Sequence, residues 1–245
     1  MLKSIPNLIT LGNLASGLLG ITMVMQGNPF FGFLFMLVGA ILDFFDGFVA
    51  RLLKADGDLG KQLDSLADVV TFGVLPGLIW RFYMEAQGFC PASGFCINSY
   101  IWLLIPLGAA YRLAVFNIDT RQSTGFLGVP TPITGLALAS WSWMMYSIDH
   151  SSWMLVDIRW IFSYFYVWLY VPLFASFMMI SDYPMLALKF KKGDPLNVWK
   201  LAILFIGVLS IVVFGPAGIA VLYFVYIGVS FIANALVQSK ISEEI

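Results

Sequence analysis

Long apolar segments joined by short polar connections are the feature that most limits how this chain can fold. A helix needs about 20 mostly apolar residues to cross a bilayer, and only helices and closed barrels satisfy their backbone hydrogen bonds within lipid. Eight such segments run at about residues 8–25, 29–53, 60–84, 100–118, 130–146, 160–179, 198–214 and 217–237. Because 60% of the residues are hydrophobic and 11% are charged, the composition is also that of a membrane protein. The sequence therefore predicts an all-α integral membrane protein with about eight transmembrane helices.

The scarcity of some polar residues excludes several kinds of function. One His and two Cys are too few for a His/Cys metal site or a Cys/His nucleophile. A formal net charge of −1 provides no basic surface for nucleic acid, so no nucleic-acid partner is expected. Cys90 and Cys96 lie in a polar loop between two segments, where a disulfide and two separate thiols are both compatible with the sequence.

Four acidic residues lie inside two of the apolar segments, in pairs. Asp43 and Asp46 are three residues apart, and Asp64 and Asp68 are four apart, so each pair faces one side of its helix. Ionisable residues within a span are costly and usually functional. Carboxylates brought together from two helices repel one another, and oxygen ligands favour hard cations such as Mg²⁺ or Mn²⁺. The four acids therefore predict a site for divalent cations.

These acids belong to a longer pattern, D-x2-D-G-x2-A-R-x8-G-x3-D-x3-D, over residues 43–68. Its fixed positions are Asp43, Asp46, Gly47, Ala50, Arg51, Gly60, Asp64 and Asp68. The pattern resembles the signature of the CDP-alcohol phosphotransferases, membrane enzymes that transfer a phospho-alcohol from a CDP-linked donor to a hydroxyl group. The resemblance implies one domain over residues 1–245, with a six-helix catalytic core over about 1–180 and a C-terminal helical hairpin over about 197–238.

The resemblance also implies roles for the four acids. Asp43, Asp46 and Asp64 would bind two divalent cations, Mg²⁺ or Mn²⁺, and two-metal sites suit displacement at phosphorus. Asp68 would contact metal or act as the general base on the acceptor hydroxyl. That hydroxyl would attack the lipid-bearing phosphorus of the donor and release CMP.

The CDP part of the donor is expected to lie beside the acids, against the first three segments. The candidates are Asn7, Thr10, Gly47, Ala50, Arg51, Gly60 and Lys61. The two small residues of the second segment leave space beside the acids, Arg51 follows one turn later, and helix-start amides near Gly60 suit an anion. Asn7 and Thr10 lie near the start of the first segment, where helix capping and lining of the nucleotide pocket are both open.

Three stretches resemble one branch of the family, the membrane-embedded phosphatidylserine synthases. They are SIPNLITLGNLASGLLGI near the N-terminus, GKQLDSLADVVTFGVLP from Gly60, and YRLAVFN followed by GVPTP. The resemblance implies CDP-diacylglycerol as donor and L-serine as acceptor, with Arg112 binding the serine carboxylate through its paired N–H donors. Val115 stands where relatives commonly have a second Arg, so Arg112 is the best single candidate. The alternative for Arg112 is that it snorkels toward the membrane surface.

Two other functions are also compatible with the sequence. A phosphorylated acceptor, glycerol 3-phosphate or inositol phosphate, would use the same chemistry, and Arg112, Arg121 and Lys61 are available to bind its phosphate. A transporter could instead use intramembrane acids for coupling, but the sequence has no pair of interrupted helices repeated in two halves. The family resemblance further implies a homodimer.

The distribution of basic residues predicts the orientation in the inner membrane. With eight spans both termini lie on one side, and of the 13 Lys and Arg residues only Arg81 and Arg159 fall on the other. Because Lys and Arg are enriched in cytosolic loops, both termini and the four-acid site are expected to face the cytosol.

Overall fold

The computed structural model describes residues 4–55, 57–88, 97–119, 126–143, 145, 159–186 and 196–243. Its α-helices are α1 (Ile5–Met25), α2 (Pro29–Leu53), α3 (Asp58–Asp68), α4 (Leu75–Ala86), α5 (Leu104–Ile118), α6 (Thr131–Ala139), α7 (Phe165–Ile180), α8 (Asn197–Phe214) and α9 (Gly218–Glu243). A π-helical segment, Val69–Val74, joins α3 to α4, and short 3-10 segments lie at Ile97–Leu103, Arg159–Ser163 and Gly215–Ala217. Two short strands, β1 (Phe126–Leu127) and β2 (Pro184–Met185), pair antiparallel. The predicted all-α class is confirmed.

Five stretches of the described chain are long and apolar enough to cross a membrane. They are Ile5–Met25, Pro29–Leu53, Asp58–Ala86, Tyr100–Ile118 and Asn197–Leu236. The last of them covers both segments of the predicted C-terminal hairpin, and α7 is a shorter apolar helix of 16 residues. The prediction of a membrane protein is therefore confirmed, whereas the count of eight spans stays a prediction.

Three residues singled out from the sequence lie outside the described residues. They are Cys90 and Cys96, for which a disulfide and two thiols were both open, and Arg121, one of the cations considered for a phosphorylated acceptor.

Proline and glycine set the ends of the first two helices. α1 has Pro6 in its first turn and is followed by Gly27, whose φ of 83° glycine adopts without strain. Pro29 then begins α2, where a missing N–H costs no helical hydrogen bond. α2 ends before Lys54, which has a left-handed φ of 48°. The observed range, Pro29–Leu53, agrees with the predicted second segment.

α1 and α2 pack closely against each other because glycines lie at their contact. A Cβ atom on Gly20 would lie 3.1 Å from the carbonyl oxygen of Gly32. A Cβ atom on Gly39 would lie 2.7 Å from Cγ2 of Thr71 in the π-helical segment. The short connections between the first three helices bring the start of α1, the end of α2 and the start of α3 together.

The predicted third segment runs through α3 and α4 but changes its winding in the middle. Pro76 lacks the N–H that would bond to the carbonyl of Phe72, and the turn before it, Val69–Val74, is π-helical. Gly135 of α6 packs against this turn, and a Cβ atom there would lie 2.5 Å from the Phe72 carbonyl oxygen. The third segment is therefore interrupted by a wide helical turn that contains Gly73 and precedes Pro76.

The C-terminal hairpin, α8 and α9, shares a core with the rest of the described chain. Its buried residues Ile203, Tyr223 and Tyr226 belong to the same hydrophobic cluster as Trp80 of α4 and Trp168 of α7. The Trp80 indole N–H donates to the carbonyl of Trp168 at 3.1 Å. The hairpin is thus packed against the rest of the described chain, and the single domain stays a prediction.

Candidate active site

Two helices bring three of the predicted acids into one group. Asp43 comes from α2, and Asp64 and Asp68 come from α3; one carboxylate oxygen of each lies within 4.8 Å of the other two. Asp68 is buried, with 5% of its surface exposed, and the other two are partly buried. Like charges at this range repel strongly where water is scarce. The oxygen-only donor set fits a hard divalent cation, which would remove that repulsion.

The fourth acid, Asp46, lies one turn along α2 and outside the group of three. Its side chain is buried, and its Oδ2 atom has no hydrogen-bond partner among the described residues. Asp46 and Asp64 line the same cavity. Because a buried acceptor without a donor is costly, this oxygen also fits a cation next to the group of three.

A cavity of about 460 Å³ opens beside the acids where the start of α1, the end of α2 and the start of α3 meet. Its lining includes most of the residues predicted to bind CDP. These are Asn7, Thr10, Gly47, Ala50, Gly60 and Lys61. Sites for cofactors and small ligands commonly measure ~300–1,000 Å³, so the cavity has the size of a nucleotide site.

Two glycines shape this cavity: Gly47 leaves space in it, and Gly60 allows α3 to lie close to α1 at its rim. No described atom outside its own helix turn lies within 4 Å of the Cβ position of Gly47. A Cβ atom on Gly60 would lie 3.1 Å from Oδ1 of Asn7, so α3 comes close to α1 at the rim. Thr10 donates its hydroxyl to the carbonyl of Pro6 at 3.1 Å, which fixes the side chain. Asn7 and Thr10 therefore both belong to the cavity wall.

The two cations predicted beside the donor have different surroundings. Arg51 is exposed, its Nε donates to the carbonyl of Gly47 at 3.0 Å, and it is not among the lining residues. Lys61 lines the cavity, and its ammonium group donates to the carbonyl of Asn117 at 2.9 Å. Asn117 in turn donates to the hydroxyl of Ser65 at 2.8 Å. The end of α5 is thereby joined to α3 beside the cavity.

Asn13 is a site residue that the sequence interpretation missed. It is fully buried in α1, and its Nδ2 group donates to Oδ1 of Asp68 at 3.3 Å. The backbone carbonyl of Asn13 accepts a hydrogen bond from the Thr71 hydroxyl at 3.2 Å. A signal was present, because Thr10, Asn13 and Ser16 are polar at intervals of three in an apolar segment, which places them on one helix face.

Arg112 is buried in α5. Only 7% of its surface is exposed, and its Nε atom has no hydrogen-bond partner within the described part of the chain. Its guanidinium carbon lies 5.9 Å from the ring centre of Phe116. The same side chain lines a second, smaller cavity together with Ser181 and Asp182. Arg112 is therefore a buried cation at the wall of a second cavity.

Several known proteins are similar to this chain. It is 40% identical to the CDP-diacylglycerol–serine O-phosphatidyltransferase of Bacillus subtilis over 135 residues, which is 55% of this chain and 72% of that protein. It is 33% identical to the archaetidylserine synthase of Methanothermobacter thermautotrophicus over 140 residues, 56% of this chain and 57% of that protein. It is 36% identical to the CDP-diacylglycerol–serine O-phosphatidyltransferase of Helicobacter pylori over 129 residues, 52% of each chain. The chain thus spans about half the length of the latter two relatives.

A family match covers most of the chain, including all four acids. The family model described as CDP-alcohol phosphatidyltransferase matches residues 3–172. This range contains α1 to α6 and all the residues that line the larger cavity. It ends before the C-terminal hairpin. The resemblance inferred from the signature is confirmed, and the chain belongs to the CDP-alcohol phosphatidyltransferase family, a family of phosphotransferases.

Proposed function

We propose that this protein transfers the phosphatidyl group of CDP-diacylglycerol to the hydroxyl of L-serine and releases CMP. The observation that carries the proposal is the group of Asp43, Asp64 and Asp68 beside a nucleotide-sized cavity at the ends of membrane helices. The names of the Bacillus and Helicobacter relatives favour CDP-diacylglycerol as donor and serine as acceptor. The product is then phosphatidylserine.

The CDP group of the donor occupies the cavity between α1, α2 and α3. Gly47 and Ala50 leave room for it against α2, and the amide groups at the start of α3, near Gly60, point their positive ends toward the phosphates. Lys61 adds positive charge at the cavity wall. Arg51 reaches the phosphates once its bond to its own helix is broken.

Asp68 is the general base in this proposal. Its carboxylate takes the proton of the serine hydroxyl as that oxygen attacks the lipid-bearing phosphorus. The new P–O bond forms while the bond to CMP breaks, and CMP leaves with the bonding electron pair. Asn13 donates to Oδ1 of Asp68, which holds the carboxylate in one orientation and leaves Oδ2 for the proton.

The four acids would hold two divalent cations, Mg²⁺ or Mn²⁺, with Asp46 beside the group of Asp43, Asp64 and Asp68. Bound cations would neutralise charge on the diphosphate and on the departing CMP. The protein's own contribution is to fix the ligand positions, because each pair of acids shares one face of its helix.

The proposed enzyme works at the cytosolic face of the inner membrane as a homodimer. The larger cavity lies near Arg51, Lys54 and Lys61, and such positive charge favours the cytosol. The homodimer rests on the family resemblance. Labelling of Lys54→Cys by a membrane-impermeant maleimide, in a chain without its two native Cys, tests the orientation, and the mass of the detergent-purified protein tests the dimer.

The test of the proposed function is CMP release by the purified protein in detergent with CDP-diacylglycerol and Mg²⁺ or Mn²⁺. L-Serine, glycerol 3-phosphate, inositol and inositol phosphate are offered in turn as acceptors. We expect metal-dependent release with serine alone. Release with a different acceptor would keep the chemistry and overturn serine, whereas no release from folded protein would favour the transporter.

Enlarging Gly47 should block the donor without harming the fold. A Cβ atom at Gly47 would have no described neighbour within 4 Å, and leucine has a higher helix propensity than glycine, but a leucine side chain here would take up space in the cavity that Gly47 lines. We expect kcat/KM for CDP-diacylglycerol to fall about tenfold or more, an effect of about 1.4 kcal/mol on the transition state, with no loss of thermal stability. Gly228→Leu on α9, at a position equally open, is the matched control. Normal donor kinetics in the Gly47 variant would exclude this cavity as the donor site.

A further inference from the structure

Two hydrogen bonds join α1 to the third segment, and both are made by Asn13. Its side-chain Nδ2 group donates to Oδ1 of Asp68 at 3.3 Å, and its backbone carbonyl accepts from the hydroxyl of Thr71 at 3.2 Å. Asp68 is the last residue of α3, and Thr71 follows it in the π-helical segment. The two bonds therefore close a ring through Asp68, Asn13 and Thr71.

The side chain of Asn13 depends on the restraint that this ring provides. Its Oδ1 atom has no hydrogen-bond partner among the described residues, so the bond to Asp68 is the one that orients the carboxamide. A single hydrogen bond leaves two helices free to rotate about it, whereas a second bond between the same helices removes that freedom. The bond from Thr71 to the backbone of Asn13 is this second bond, and it fixes the height at which the carboxamide meets Asp68.

Thr71 reaches α1 because glycines face it on two helices. Thr71 and Asn13 are both fully buried. A Cβ atom on Gly17 of α1 would lie 3.0 Å from Cα of Thr71, and one on Gly39 of α2 would lie 2.7 Å from Cγ2 of Thr71. The same Cβ atom on Gly39 would lie 3.0 Å from Oδ1 of Asn13. Because χ1 of a threonine is stiff, the methyl group packed beside α2 keeps the hydroxyl on the carbonyl of Asn13.

We propose that Thr71 is a positioning residue for the reaction, whose hydroxyl holds the backbone of Asn13 so that Asn13 can hold the carboxylate of Asp68. The proposal rests on the proposed function, in which Asp68 is the general base, and deepens it with a residue outside the signature of residues 43–68. Thr71 lines neither of the two cavities described above. Because a misplacement of about 1 Å can lower a rate about 10²-fold, loss of the hydroxyl should slow the chemical step and leave donor binding unchanged.

Thr71→Val and Thr71→Ser divide the side chain into its two parts. Valine keeps the methyl group and loses the hydroxyl, whereas serine keeps the hydroxyl and loses the methyl group. In Thr71→Val we expect kcat for CMP release with L-serine as acceptor to fall about 10- to 100-fold, with KM for CDP-diacylglycerol within about twofold of the wild type. Thr71→Ser should keep kcat within about fivefold of the wild type, because its hydroxyl can still donate to Asn13.

A double variant tests whether Thr71 acts through Asn13. Asn13→Ala removes the carboxamide but keeps the backbone carbonyl that accepts the bond from Thr71. Adding Thr71→Val to Asn13→Ala should lower kcat by no more than about twofold, because no carboxamide remains to be positioned. A further loss as large as the one that Thr71→Val causes in the wild-type background would mean that Thr71 acts by another route, and it would overturn the inference.

Controls separate positioning from a loss of stability. Ser16→Ala removes another hydrogen bond of α1, from the Ser16 hydroxyl to the carbonyl of Phe35 on α2 at 2.6 Å, and should lower thermal stability without changing kcat. If Thr71→Val does not fold, Thr71→Ala and Thr71→Ser decide the question, since they differ in the hydroxyl alone. Wild-type kcat in Thr71→Val, or equal kcat in Thr71→Ala and Thr71→Ser, would overturn the role of Thr71 while leaving serine transfer intact. A wild-type protein that does not use L-serine would overturn the proposed function itself.

Discussion

Asp68→Asn is expected to lower CMP release about a thousandfold while the protein still inserts and folds. General bases contribute typically 10²–10⁴-fold to rate, and the amide cannot accept the hydroxyl proton. The fold should tolerate the change, because the new side chain has nearly the same shape and its oxygen can still accept the hydrogen bond from Asn13. Removing one charge from a group held within 4.8 Å also lessens repulsion.

The measurement is steady-state CMP release with saturating CDP-diacylglycerol, metal and acceptor, on detergent-purified protein of matched thermal stability. Glu85→Gln is the matched control, since it makes the same carboxylate-to-amide change at an exposed ion pair, where such pairs contribute about 0–1 kcal/mol. Near-normal turnover by Asp68→Asn would remove Asp68 from the role of general base.

Divalent cations are expected to raise the thermal stability of the protein and to be required for its activity. Without cations, Asp43, Asp64 and Asp68 repel one another in a poorly hydrated place. A cation that binds only the folded state at a hundred times its Kd adds about 2.7 kcal/mol to the free energy of unfolding. We therefore expect the unfolding temperature to rise by several degrees in Mg²⁺ or Mn²⁺ and to fall again with EDTA, which should also stop CMP release.

Asp64→Asn separates this effect from general effects of salt. With one charge fewer, the variant should be at least as stable as the wild type in EDTA. The rise in unfolding temperature caused by Mg²⁺ or Mn²⁺ should be largely lost in the variant. K⁺ at equal ionic strength is the control for screening. An equal rise in the wild type and in the variant would mean that the cation binds elsewhere, and activity that survives EDTA would remove metal from the mechanism.

The sequence was most informative where spacing along one helix carried the signal. The bounds of α2 were predicted because proline and a polar connection mark its ends. The pairing of Asp64 with Asp68 on one face of α3 follows from their separation by four residues, and the structure adds Asp43 to them. Six of the residues expected beside CDP line one cavity, because the ends of three helices joined by short connections meet there.

The sequence was less informative where a site depends on how helices rotate against each other. The hydrogen bond from Asn13 to Asp68 joins residues 55 positions apart, and only the packing of α1 on α3 decides which polar residue of α1 meets the acid. Arg112 and Asp182 share a cavity although they are distant in sequence. The role of Arg51 at the donor phosphates stays a prediction, because its Nε donates to the carbonyl of Gly47 in this structure.

The π-helical turn Val69–Val74 has a consequence for how such a protein can diverge. A π turn takes up one residue more than an α turn, so the phase of α3 is not carried over into α4. Asp64 and Asp68 thus lie on one side of this turn, and Trp80, which packs into the core, lies on the other. We therefore expect substitutions that change the packing of α4 to disturb the acids less than substitutions within α3.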